Sequence, residues 1–481
     1  MLLLNGARLS KGHVHLAAAL FLVACLGLYL QVPSGQRAIA LRPWDSATKT
    51  TPDKLGIPSA SPAPAEDRKQ RSSPKCDDHL HAGYLRAFVD RATEYCGSGS
   101  SANMTCLSHT VYEKTDVLCF AGPARIDVPQ KSIRLGCELR EWKEEDAAGG
   151  IPVFDQFPVY WYNTGPGVIF RDHIELEDIR KQGSEGWNNQ VEDHTILVQR
   201  EGHANTWHSL MEIMSLTMSL DILRETMNPQ TGLPSFTDED ARTTQLLILD
   251  DHPDGPYFDL WSLYAHKPPV RFSTLPPTAS WYSNIIIPLA GSSNPFWQAE
   301  WVSYNCGESV LLQTFSQRLL YFYQIANSAP RSTRQLVLTF VDRKKSRRLL
   351  QKVEYLEALE ARFPHMTIRL VDFAELDLAD QIQIAHSTDI LVGVHGAGLT
   401  HGMFLPHRSA IVEIQPPGLV NVGFDLMAKS LGHRYYCRHG SEHDSSDNTG
   451  DWHQDDVFLD KHTFLDVVSA AINDPRSYFE T

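Results

Sequence analysis

The sequence predicts an α/β protein, two Rossmann-like halves facing a cleft, carried behind an N-terminal membrane anchor and a flexible stem. Three observations predict it. Apolar strand-like runs alternate with helical patterns, most plainly beyond residue 335. A long apolar run stands near the N-terminus, and a Pro/Ser/Ala/Thr-rich tract separates it from the rest. Of 481 residues, 42% are apolar and 21% charged, the balance of a chain that builds a core rather than a disordered one.

Residues 1–13 read as a cytoplasmic tail and 14–32 as a transmembrane signal anchor. The uninterrupted run over 16–30 continues past Gln31 to Val32. As a helix it spans roughly 25 Å, enough for a bilayer core. Ala38-Ile39-Ala40 has the small-x-small form of a cleavage site, so a removed signal peptide competes. The length of the run favours an uncleaved anchor. Residues 33–75 lack the apolar content to offset their ordering entropy and read as stem. Anchor, stem and globule together describe a single-pass type II protein of the Golgi or endoplasmic reticulum membrane, its bulk in the lumen. The terminal Tyr478-Phe479-Glu480-Thr481 is no retention tetrapeptide, which favours the Golgi.

The cysteines fit that compartment. Of eight, Cys25 lies in the apolar run, while Cys76, Cys96, Cys106, Cys119 and Cys137 crowd together. In an oxidising lumen they read as a disulfide-stapled region, with Cys306 and Cys437 far away. No CxxC pair occurs to favour zinc. Asn103-Met104-Thr105 is an N-glycosylation triplet. The boundaries that follow are 76–330 for a cysteine-containing, acceptor-side half and 331–481 for a donor-side half.

Lys plus Arg number 43 against 58 Asp plus Glu, a net charge of −15, which excludes general binding to a nucleic-acid backbone. Any anion must meet a local basic pocket. Strand-like runs fall at 195–199, 245–249, 335–341, 366–371, 389–394 and 410–414. Helical patterns cover 208–224 and a stretch bearing Leu349, Val353, Leu356 and Leu359 on one face. Such alternation implies a parallel sheet with helices on both faces and a ligand beyond the strand C-termini.

Three tracts carry chemistry. In Val392-Gly393-Val394-His395-Gly396-Ala397-Gly398-Leu399-Thr400 an apolar strand enters a Gly-rich turn and a helix start. Glycines admit an anion close to the backbone, where free N–H groups favour it. The spacing of Gly396, Gly398 and Gly402 fits a dinucleotide fingerprint poorly. In Asp342-Arg343-Lys344-Lys345-Ser346-Arg347-Arg348, five cations in six positions follow a strand. Read at a helix start, they oppose the macrodipole, and a diphosphate would relieve the conflict. In Asn205-Thr206-Trp207-His208-Ser209-Leu210-Met211-Glu212, His208 and Glu212 stand one turn apart, as a general base requires or as an ordinary surface pair.

These tracts resemble glycosyltransferase family 61: the Val392–Thr400 tract its signature, Arg343 with Arg347 and Arg348 its upstream element, and Asn205, His208 and Glu212 its N-terminal element. Val412-Glu413-Ile414 also fits, and within the family the likeness is greatest to EGF-domain-specific O-linked N-acetylglucosamine transferases and fungal-type members. The resemblance implies a GT-B architecture and an inverting enzyme that moves a sugar, GlcNAc or xylose, from a UDP-sugar to a protein Ser/Thr or a glycan hydroxyl. It implies a diphosphate held by Arg343, Arg347, Arg348 and the turn His395, Gly396, Ala397, Gly398 and Leu399. Glu413 is expected to take the ribose hydroxyls, and His208 or Glu212, with Asn205, to activate the acceptor. No cofactor or metal is required in this reading. A metal-dependent GT-A enzyme would use Asp238-Glu239-Asp240 or Asp250-Asp251, which read as surface or turn acids. The alternatives are a non-catalytic luminal lectin or scaffold on the same fold, and a nicotinamide-dependent oxidoreductase.

Overall fold

The chain builds two sheets, and what covers each decides its strand pattern. The structure is a computed structural model that describes residues 74–474 except 112–113, 178–192, 229–230, 266, 326–334 and 442–448. The expected tail, anchor and nearly all of the stem (1–73) lie outside the described residues. Among those described, no helix is long and apolar enough to cross a membrane.

Two short helices, α1 (Pro74–Leu80) and α2 (Ala82–Val89), precede the first sheet. Its strands are β1 (Ala92–Glu94), β2 (Asn103–Val111), β3 (Lys114–Asp127), β4 (Ser132–Leu135), β5 (Ile174–Leu176), β6 (His194–Val198), β7 (Gln245–Ile248), β8 (Val270–Arg271) and β9 (Ser280–Ile287). They run in the order β1-β2-β3-β9-β6-β7-β8, with β4 on β3 and β5 on β4. The quartet β9-β6-β7-β8 is parallel, whereas β1, β2, β3 and β9 pair antiparallel. The expected second Rossmann-like half is therefore a mixed sheet, a parallel core extended by an antiparallel meander.

Disulfides staple that meander, as the cysteine crowding predicts. Cys106–Cys119 joins directly opposed residues of β2 and β3, and Cys96–Cys137 closes its end. Cys76 leaves the cluster for Cys306, and Cys437 is free. Asn103 is exposed.

Helix α3 (Thr206–Glu225) is apolar all round and so must be buried all round. Two of its internal hydroxyls are satisfied within the helix: Thr217 Oγ1 donates to Ile213 O at 2.8 Å and Ser219 Oγ to Ser215 O at 2.7 Å. The short α4 (Asp238–Thr243) follows, and α5 (Val310–Phe322) leads toward the second sheet.

That sheet contains β10 (Val337–Val341), β11 (Thr367–Val371), β12 (Ile390–Val394), β13 (Ala410–Gln415) and β14 (Arg434–His439), all parallel, ordered β11-β10-β12-β13-β14. The order reverses between β10 and β12, the switch point at which doubly wound sheets take their ligands. Helices α6 (Lys352–Arg362), α7 (Leu378–His386), α8 (Gly423–Ser430) and α9 (Lys461–Asn473) cover it. Leu338, Phe340, Val392 and Val412 pack with Leu359 and Phe464 on one face. Val341, Leu391 and Ile411 face the other way, into a core continuous with Leu210 and Met214 of α3. One apolar cluster thus joins the two sheets.

Candidate active site

The carboxyl ends of β10 and β12 lie side by side, and the basic tract leaves the first of them. Residues 342–350 form a loop, not the expected helix start; α6 begins only at Lys352. Leu349 is buried outside that helix, and Val353, expected on its apolar face, is 56% exposed. The argument from an opposed macrodipole therefore lapses, and a sorting of charges replaces it.

Buried Asp342 pairs with Lys344 at 2.7 Å and with Lys352. Arg348 turns outward to Asp456, Nη2 to Oδ2 2.5 Å, and is spent on that carboxylate rather than on an anion. Lys345 is exposed, and Arg343 and Arg347 are left half-buried beside it. Arg343 Nε donates to Ser346 O at 2.9 Å, and Arg347 Nη1 to His395 O at 3.1 Å. Among the described residues, neither guanidinium has a carboxylate within ion-pair distance. Arg347 Nε is buried without a partner. Burial, and then the charge of Arg343, brings Arg347 down to about 10, and burial lowers Arg343 as well. Two like charges, half-buried and with a donor unfilled, make a seat for an anion. The Arg347 guanidinium also lies 5.5 Å over the ring of Trp452, which meets His395 edge-on at 5.7 Å.

Gly396 is required where these arginines lie. Its φ is +147°, and a Cβ there would stand 2.5 Å from Arg343 Nη1 and 3.2 Å from Arg347 Nη1. Gly398 is bound by close approach instead, since a Cβ would meet Val341 Cγ1 at 2.6 Å. Residues Ala397–Phe404 form a 3-10 helix whose Leu399 N–H donates back to Gly396 O at 2.9 Å. Leu399, with its amide engaged and its side chain in the core, is a packing residue; Ala397 and Gly398 are half-buried at the turn.

His395 Nδ1 lies 2.5 Å from Glu413 Oε1. Glu413 is fully buried, and its Oε2 accepts from Tyr435 and, at 3.3 Å, from Gln415 Nε2. The expected ribose contact is thereby corrected: both oxygens are occupied beneath His395, and Glu413 orients that ring.

The other half supplies a histidine. Asn205 caps α3, its Oδ1 accepting from the N–H of Trp207 at 3.0 Å and of His208 at 3.4 Å, so its role is to fix the helix start. His208 lies on the first turn, its Nδ1 against the carboxylate of buried Glu201. Its ring lies tilted against Trp297 with centroids 4.4 Å apart and meets Tyr162 at 5.9 Å. Glu212 lies one turn along the same face as His208, but it is buried beneath Glu201 rather than turned to the cleft. Its Oε1 accepts from Glu201 N–H at 2.8 Å, and the residue lines a cavity of about 30 Å³ together with Gln199 and Gly291. Burial above all, with Glu201 and Asp250 adding, raises its carboxyl well above the usual range. Glu212 therefore holds the loop that carries Glu201, and Glu201 holds His208.

Ring contacts connect the two clusters: Trp207 meets Phe424 at 5.8 Å, and Phe424 meets His395 at 5.5 Å. Glu300 sits beside Trp207 at this seam, burial pushing it up to about 7. The acids of the metal-dependent rival have other partners. Asp240 closes a capping box with Thr237 at the start of α4, so this stretch is helical, not a loop. Asp250 is no turn acid but is buried, taking Arg200 Nη2 at 2.8 Å.

Glu201, Tyr162, Trp297, Glu300 and Trp452 escape the sequence reading. Only Glu201 left a signal there, standing four residues before Asn205 at a strand-to-helix junction.

A family model described as Glycosyltransferase 61 matches residues 207–412, from the His208 turn to β13. The chain is 28% identical over 249 residues to the EGF domain-specific O-linked N-acetylglucosamine transferase of Drosophila melanogaster, covering 51% of this chain and 45% of that one. The protein of the same name from Rattus norvegicus is 35% identical over 111 residues, 23% of this chain and 21% of that. The chain thus spans less than half the length of these curated relatives. A solved E. coli heptosyltransferase WaaC with ADP superposes at a TM-score of 0.25 and 9% identity, over 51% of this chain and 93% of that one, too weakly to carry an argument. Family model and relatives fall on the segment that bears both clusters, and over that segment this chain is similar to proteins of the glycosyltransferase 61 family.

Proposed function

We propose that this protein is an inverting, GT-B-type glycosyltransferase of the secretory pathway that moves a sugar from a UDP-sugar to a protein Ser/Thr or a glycan hydroxyl. The observation that carries the reading is the Arg343–Arg347 pair seated on Gly396 at the strand-order reversal. As the glycosidic bond breaks, negative charge develops on the departing diphosphate. Preorganised guanidinium groups stabilise it without reorganising. Across the seam, His208 Nε2 takes the acceptor's hydroxyl proton as the oxygen attacks the anomeric carbon from the opposite side. Glu201 on Nδ1 fixes the ring for that transfer.

The name shared by the relatives puts GlcNAc first among donor sugars and an EGF domain first among acceptors. The disulfides support a lumenal setting, and an anchor over 14–32 is part of the same proposal. The test is a panel of UDP-sugars given to the full-length protein and scored for hydrolysis and transfer. One sugar is expected to turn over, with no loss after dialysis against chelator. Failure of every UDP-sugar would overturn the reading, and metal-restorable loss would overturn its arginine-only stabilisation.

A further inference from the structure

The 159–165 turn beside His208 has features the fold does not need. Val159, Trp161 and Tyr162 are 54%, 68% and 59% exposed, three large apolar side chains within four positions. Exposed apolar surface so concentrated marks a contact site. Tyr162 and Asn163 also take left-handed φ of 61° and 57°, a conformation that side chains adopt at a cost.

The turn is held from below. Tyr160 N–H donates to Thr164 O at 2.9 Å, and Thr164 Oγ1 to Trp161 O at 3.0 Å. The Tyr160 hydroxyl donates to the fully buried Asp116. A Cβ on Gly165, whose φ is +101°, would stand 2.6 Å from the Tyr160 ring. Trp161 and Tyr162 are therefore propped outward, and Tyr162 reaches the ring of His208.

Neighbouring polar groups are matched among themselves. Arg171 donates to Asn163 Oδ1 at 3.2 Å and to both oxygens of Asp172, and Lys114 Nζ stands 5.7 Å over Trp161. With the side chains of Asn163, Thr164, Arg171 and Asp172 engaged in this way, what the turn offers outward is mainly the apolar area of its rings. A glycan acceptor needs convergent polar groups for its hydroxyls, whereas an apolar protein side chain needs area.

We propose that this turn is the acceptor platform, and that its occupant is a folded protein that seats an apolar or aromatic side chain on Trp161 and Tyr162, beside the hydroxyl presented to His208. The inference rests on His208 as the base and narrows the acceptor to protein. Its test compares the full-length protein with the Trp161→Ala/Tyr162→Ala variant in calorimetric binding to a disulfide-bonded EGF-like domain and to a free oligomannose glycan. UDP binding is followed alongside. Both rings are exposed, so the variant is expected to fold, and its Tm monitors this. The expected result is at least tenfold weaker binding of the domain, with UDP affinity, which is set across the seam by Arg343 and Arg347, within twofold. Equal affinity of wild type and variant for the domain, undetectable binding in both included, overturns the platform. So does a loss confined to the glycan, or a parallel loss of UDP affinity. Wild-type protein that binds the domain through these rings but no UDP would refute the proposed reaction and leave the platform standing.

Discussion

The two sheets place polar groups by different means. In the five-stranded sheet, the arginines and the glycine turn leave the ends of adjacent strands, so topology alone brings Arg343 and Arg347 to Gly396. In the nine-stranded sheet no such register operates. Tyr162, Glu201, His208 and Trp297 arrive from a turn, a loop, a helix start and the short Pro295–Gln298 helix, and contacts among side chains hold them together. A switch point supplies a site by backbone geometry; the other half must build one residue by residue. The first kind of site tolerates change around it, and the second depends on each member.

The sharpest break of this comparison separates binding from turnover. His208→Ala is expected to lower transfer by roughly 10²–10⁴-fold while UDP affinity stays within twofold. Arg343→Ala or Arg347→Ala is expected to weaken UDP binding by roughly 10-fold or more, the loss of a charge-assisted hydrogen bond of about 1.5–3 kcal/mol. Arg348→Ala, an exposed ion pair, should change it less than about threefold. Titration calorimetry and initial rates on the same samples decide the matter; an Arg348 effect equal to that of Arg347 would collapse the charge sorting of the loop.

Next in size is the order of the two acids. Glu201→Gln should lower transfer by roughly 10–100-fold, because it removes the carboxylate that orients His208. Glu212→Gln, which keeps an acceptor for Glu201 N–H at a group whose burial disfavours charge, should cost under about threefold. The reverse ranking would return Glu212 to the role first expected of it.

The smallest effect concerns stability. Burial raises Asp116 to about 7 from 3.8, against the opposing hydrogen bond from Tyr160. The folded state therefore keeps a proton between pH 4 and 7 that the unfolded state has lost. Its contribution is full below pH 4 and declines as pH rises through 7, by up to roughly 4 kcal/mol for a shift of that size. Asp116→Asn removes this slope, so its Tm relative to wild type should be higher at pH 8 than at pH 5. A difference independent of pH would show that Asp116 titrates normally.

The five-stranded sheet was legible because strands covered on both faces read as unbroken apolar runs. Val337–Val341, Ile390–Val394 and Ala410–Gln415 fall where such runs predict them. The antiparallel meander was not: β2, Asn103–Val111, mixes buried Met104 and Leu107 with exposed Asn103, and no single period marks it. The arginine tract and the glycine turn were visible as motifs, though not which arginine a distant Asp456 would claim. Glu413 was visible, but spacing cannot show that His395 takes one of its oxygens and Tyr435 and Gln415 the other. Trp297 and Tyr162 left no signal, since aromatic residues serve cores far more often than sites.

The Cys76–Cys306 bond has a mechanical consequence. It joins residues separated by 230 positions, and Ser309 Oγ donates to Leu80 O beside it. Tension applied ahead of residue 74 is thus routed covalently to the segment that leads into α5, bypassing edge strand β1. A tether attached there would drag the molecule by its middle, sparing the meander from being peeled away strand by strand.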